Sequence, residues 1–140
     1  LISFSKKIRA HFKKTLINNS INAAKIATDV SPNNANNWSV RGFVYQNLIG
    51  IVPGAEDWAI TSYDSAIKLE PISPYYPTQK GIVYMKKSSL LEEDKASEKN
   101  QFLEQAKEQF EKAVVEELEH SEDNASVEEG IRKFIKFDPL

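Results

Sequence analysis

An all-helical chain, folded as a solenoid of about three helix-turn-helix pairs and closed by a C-terminal capping helix, is what this sequence predicts. Three observations predict it. Apolar residues recur at spacings of three and four along the chain, the period of an amphipathic helix. Proline and glycine clusters fall between these stretches and divide them. Finally, Gly42 and Gly81 lie 39 residues apart, as do Ala27 and Ala66, Pro32 and Pro71, and Tyr45 and Tyr84. Repetition in this range marks units that each bury an apolar face only against a neighbour.

The elements follow in order. Leu1, Phe4, Ile8, Phe12 and Leu16 form an apolar stripe backed by Lys6, Lys7, Arg9, Lys13 and Lys14, and this is the expected first helix. Asn18, Asn19 and Ser20 are expected to make a turn and an N-cap, because their short side chains accept from unpaired helix amides. A second helix then carries Ala23, Ala24, Ala27 and Val30 inward until Pro32 stops it. Asn33 to Asn37 read as the next turn, before Trp38, Gly42 and Tyr45 on a third helix that Gly50, Pro53 and Gly54 end. The fourth helix, from about Asp57 to Leu69, is expected to bury Ala59, Ile60, Tyr63, Ala66, Ile67 and Leu69, and Pro71 closes the unit. Ile72 to Pro77 read as an extended turn, and Gly81, Ile82, Tyr84 and Met85 as a fifth helix. The charged run Glu92 to Asn100 reads as a solvated loop, and Phe102, Ala106, Phe110, Ala113, Val114 and Leu118 mark a sixth helix. Ser121 to Ala125 form a hinge, and Ser126 with Glu129 a capping box for a last helix that bears Val127, Ile131, Phe134 and Ile135. The predicted single domain, 1–140, thus divides into pairs at about 5–32, 36–71 and 76–119, with the terminal helix at 126–137.

At 140 residues the chain is long enough to bury a core without disulfides or a metal, and it has no cysteine to form the former. No run approaches the roughly 18 apolar residues of a membrane span, so the visible chain is expected to be soluble, whether cytoplasmic, exported or at the cell surface. Because the first residue is Leu1, a larger N-terminal portion is an open expectation. The net charge of −2 conceals a gradient, with +5 over residues 1–30, +1 over 31–90 and −8 over 91–140. Such polarity steers encounters with charged partners.

The residues of the repeat resemble the tetratricopeptide family of bacterial type. Its aromatic, glycine and tyrosine of the first helix are matched by Trp38, Gly42 and Tyr45, and its alanine, aromatic, alanine and proline of the second by Ala59, Tyr63, Ala66 and Pro71. The following unit offers Gly81, Tyr84, Ala106, Phe110 and Ala113, and the preceding one Ala27 and Pro32. The resemblance covers about residues 5 to 119 and implies a right-handed superhelix that binds other proteins without catalysis. A family unit is about 34 residues, so the longer spacing here implies an insertion, best placed at Gly50 to Gly54, and a larger one between Tyr84 and Ala106. The wording from Trp38 to Tyr45 with Gly54 to Ala59 also looks like repeat domains that follow multi-span bacterial glycan ligases of the O-antigen type.

Family members bind peptides in a concave groove, and the matched spacing carries that face onto Ser39, Phe43, Gln46, Asn47, Thr78, Ile82, Met85 and Lys86. The competing structural reading is that these residues pack against the terminal helix. Ser39 and Phe43 stand where carboxylate-clamping members carry lysine and asparagine, which argues against a clamp. A second candidate surface, for contact between copies, comprises Ile51, Val52, Trp58, Phe134, Ile135 and Phe137, against the alternative that these residues only cap the fold. Asn18, Asn37 and Asn124 each begin a glycosylation sequon, although asparagine also collects at helix caps. Lys6 to Lys14 form either a site for anionic lipid or the wet face of a helix, and no recognition-helix pattern points to nucleic acid. Glu117 and His120 have a metal-helix spacing but lack the second motif such sites need, and His11 lies far away in sequence. No nucleophile elbow, phosphate loop or displaced acid–base pair is apparent, so no enzyme activity and no cofactor are expected. The expectation is an interaction scaffold that takes a protein or peptide segment. The alternatives are a structural subunit assembling head to tail into an oligomer or extracellular fibre, and a soluble repeat domain of a membrane glycan ligase-type protein.

Overall fold

The computed structural model describes residues 2–120. Among them the chain is all-helical, with no strand: α1 spans Ile2–Val30, α2 Ala35–Asn47, α3 Ala55–Leu69, α4 Tyr75–Ser89 and α5 Ala96–Glu119, with a 3₁₀ turn at Glu93–Lys95. Two compact units result, the first ending at Leu69 and the second beginning at Glu70. The first is built from α1, α2 and α3, and the second from α4 and α5.

Most breaks fall where the backbone chemistry demands them. Val30 ends α1 two residues before Pro32, and Leu69 ends α3 two residues before Pro71. Asn34 caps α2, its Oδ1 accepting from the amide of Asn36 at 3.0 Å. Asn36 and Asn37 therefore lie inside the helix rather than in the turn before it. Between α2 and α3 the insertion sits at residues 48–54, where Gly50 and Gly54 hold φ of 81° and 77°. Those values lie in the left-handed region that a Cβ disfavours. Helix α4 starts earlier than its prolines suggest, with Pro77 inside the first turn. Its missing N–H is one that a helix start leaves unpaired anyway.

Two further expectations are corrected. The helix pair predicted at about 5–32 is a single helix, and no turn forms at Asn18 to Ser20. The hydroxyl of Ser20 donates to the carbonyl of Leu16 at 2.8 Å, so it bonds back along the helix instead of capping a new one. With neither glycine nor proline between residues 1 and 31, nothing compels a break. The charged loop predicted at 92–100 is also mostly helix, since α5 already begins at Ala96. Ala, Glu, Lys and Gln are strong helix formers, and Lys99 pairs with Glu93 at 2.7 Å across the start. That pair holds the exposed Glu93 carboxyl below its ordinary pKa, chiefly through the hydrogen bond from Lys99. The hinge at Ser121 to Ala125 and the helix expected at 126–137 lie outside the described residues.

Each unit is locked by the same device. In the first, Gly42 on α2 faces the ring of Tyr63 on α3, and a Cβ built on Gly42 would stand 2.9 Å from Tyr63 Cε1. In the second, Gly81 on α4 faces the ring of Phe110 on α5, at 2.6 Å from Cε1 on the same construction. The ring seats directly against the opposing helix because glycine leaves room for it. Ala59 and Ala66 flank Tyr63 one turn to either side, as Ala106 and Ala113 flank Phe110, and all four alanines are buried. The repeat seen in the sequence is therefore a repeated contact as well.

Candidate functional site

On α2, Trp38, Arg41 and Tyr45 lie at spacings of three and four and so share one face. Trp58, in the first turns of α3, meets that face. The Arg41 guanidinium carbon lies 5.4 Å from the centre of the Trp38 ring and 5.7 Å from that of Trp58, and Trp58 stacks on Tyr45 at 6.0 Å. Arg41 also donates through Nη1 to Thr28 Oγ1 of α1 at 3.0 Å, while its Nε is buried without a hydrogen-bond partner. Trp38 Nε1 donates to the carbonyl of Pro32 at 2.7 Å, and Asn37 Nδ2 to that of Ala27 at 3.0 Å. Arg41 thus ties the end of α1 to α2 and α3. The i, i+3 spacing of Trp38 and Arg41 was visible in the sequence, but their convergence with Trp58 was not.

The residues expected to line a groove divide by exposure. On α2, Phe43 is 52% exposed and Asn47 is exposed, whereas Ser39 and Gln46 are buried. Gln46 is turned inward, where its Oε1 accepts from the Tyr63 hydroxyl at 2.7 Å. Asn47 Nδ2 donates to the Phe43 carbonyl at 2.7 Å. On α4, Met85 is 49% exposed, and Thr78, Ile82 and Lys86 are half-buried along the same helix face. Thr78 donates to the Pro74 carbonyl at 2.8 Å.

The second unit carries an open apolar groove of about 540 Å³ between α4 and α5, lined mainly by Tyr75, Phe110, Ala113, Val114 and Leu118, with Glu117 at its edge. Of the groove residues read from the sequence, Thr78 reaches it. Nearby, the Tyr76 hydroxyl donates to Glu70 Oε2 at 2.8 Å. Burial, reinforced by this bond and by the Glu70 charge, pushes the Tyr76 pKa up to about 12 from 10.0. A raised phenol pKa favours the folded state while the unfolded phenol still holds its proton. The contribution is therefore whole below pH 10 and is lost as the pH climbs toward about 12. Urea midpoints across that interval are expected to fall more steeply for the parent than for Tyr76→Phe, which has no proton to lose. Parallel slopes would show that the phenol is not held buried against Glu70 in solution as described.

Of the residues proposed for contact between copies, Ile51 and Trp58 are about half exposed and Val52 is half-buried, while Phe134, Ile135 and Phe137 lie outside the described residues. The sequon of Asn18 falls within the helix α1, unlike the surface loops where glycans attach. The Asn37 amide nitrogen, the atom a glycan would occupy, is held by Ala27. Asn124 is not described. Among the described residues no three His, Asp or Glu side chains gather as metal ligands, and His120 Nδ1 instead contacts the Glu116 carbonyl at 2.9 Å. Nor is any described helix long and apolar enough to cross a membrane. Comparison with protein-family models, with curated proteins and with solved structures found no match.

Proposed function

We propose that this chain is a non-enzymatic interaction module of the tetratricopeptide kind, whose helix pairs stack as a right-handed solenoid and take an extended protein segment on the open faces of α2 and α4. One observation carries the reading. In both units the helix that offers its glycine to the neighbouring ring also keeps a large apolar side chain about half exposed, Phe43 on α2 and Met85 on α4. An exposed methionine or aromatic suits a surface that accommodates several sequences, and each unit offers one.

Selection from a displayed random-peptide library supplies the test. Peptides that bind the parent are expected to lose about tenfold or more in affinity with Phe43→Asp or Met85→Asp, since each substitution places a charge where an apolar anchor sits. Both side chains are half exposed, so melting temperatures should stay near the parent value. Selected peptides indifferent to both changes would remove this face from consideration.

Self-assembly is the second reading, favoured by the exposure of Ile51 in the α2–α3 loop and of Trp58 at the start of α3. Light scattering separates the two readings, because a monomer at about 100 μM counts against assembly.

A further inference from the structure

The long helix α1 has two apolar faces that point in opposite directions. At about 100° per residue, Phe4, Ile8, Phe12 and Leu16 cover an arc of about 120°. Ile17, Ile21, Ala24 and Thr28, which are buried or half-buried, centre about 170° away from it. The second set packs the helix into its unit. The first does not: every residue from Ile2 to Leu16 is exposed, and Phe12 is 64% exposed. With the turn at Asn18 to Ser20 absent, the stripe cannot fold back against the rest of its own helix.

The charges around the stripe indicate what covers it. Lys6, Lys7, Arg9, Lys13 and Lys14 occupy the rest of the circumference on both sides, and no acidic residue occurs before Asp29. A narrow stripe of phenylalanine and aliphatic side chains, bordered by cations on long flexible stems, matches a surface whose apolar interior begins beneath a layer of anions. We infer that residues 2–16 of α1 form an interfacial helix that lies along an anionic lipid bilayer, with Phe4, Ile8, Phe12 and Leu16 immersed among the acyl chains and the lysines at the level of the headgroups. The inference uses a different element from the peptide face and is independent of it.

Co-sedimentation of the 140-residue chain with large vesicles tests this, using phosphatidylcholine alone and phosphatidylcholine mixed with phosphatidylglycerol. The chain is expected to pellet with the mixed vesicles, to pellet far less with the neutral ones, and to be released by added salt. Ile8→Ser with Phe12→Ser should lower the partition by about a hundredfold, because two immersed side chains are lost. Lys6→Gln with Lys13→Gln should lower it by about tenfold. Circular dichroism is expected to show unchanged melting for both variants, since all four side chains are exposed. Failure to bind either vesicle, or equal binding to both, overturns the inference. So does binding that survives Ile8→Ser with Phe12→Ser, which is what attraction to phosphates alone, including those of a nucleic acid, would give. A concentration-dependent oligomer abolished by the same pair, without vesicle binding, would place a second copy on the stripe and equally overturn it.

Discussion

Replacing Gly42 by alanine is expected to destabilise the first unit by about 2–3 kcal/mol, even though alanine is the better helix former by about 1 kcal/mol. The added Cβ would lie 2.9 Å from two atoms of the Tyr63 ring, and that ring has nowhere to go. It is fully buried, between Ala59 and Ala66, and its hydroxyl is pinned to Gln46 at 2.7 Å. Gly42→Leu, which adds a branched side chain to the same spot, should cost more. Gly81→Ala makes the instructive contrast. Its Cβ would come closer still to a ring, at 2.6 Å from Phe110, but Phe110 is only half-buried and borders the open groove of the second unit. Its ring can swing outward, so a smaller loss is expected despite the shorter distance. Chemical denaturation of the two variants checks the order; a larger effect at Gly81 would mean that distance rather than freedom of the ring decides.

Tyr63→Ala should produce the second large effect, a loss of about 3–5 kcal/mol for deleting a buried aromatic ring. It also provides an internal control for the first prediction. With the ring gone, the obstacle to a Cβ on Gly42 is gone, and Gly42→Ala in the Tyr63→Ala background is expected to be neutral or stabilising by up to about 1 kcal/mol. Strict additivity of the two changes would show that the ring and the glycine do not meet as described.

A glycine inside a helical pattern has no intrinsic reason to be there, so Gly42 and Gly81 mark places of close approach on the sequence alone. That the close neighbour is an aromatic ring of the same unit, Tyr63 or Phe110, is not legible there, because helical spacing does not say which opposing side chain meets a glycine. Pro32, Pro71, Gly50 and Gly54 punctuate the chain where the helices end or the backbone turns. The continuity of α1 was not readable. Asparagine and serine serve equally as caps and as internal residues, and only the bond from Ser20 back to Leu16 decides between them. The charged start of α5 is hidden for a related reason, since a stretch whose one apolar residue is Ala96 has no period to detect. At the candidate peptide face, helical spacing placed Ser39 and Gln46 beside Phe43, but spacing does not reveal that Gln46 is claimed by Tyr63. The role of Arg41 is not legible in the sequence because its second tryptophan arrives from another helix.

The unbroken course of α1 has one more consequence, which concerns angular phase. Because a single rigid rod of about 43 Å (29 residues at 1.5 Å each) carries both apolar faces, the direction of the outer one is geared to the orientation of the folded unit at its far end. Adding one residue near Asn18 would twist the two ends by about 100° relative to each other, whereas adding seven would restore them to within about 20°.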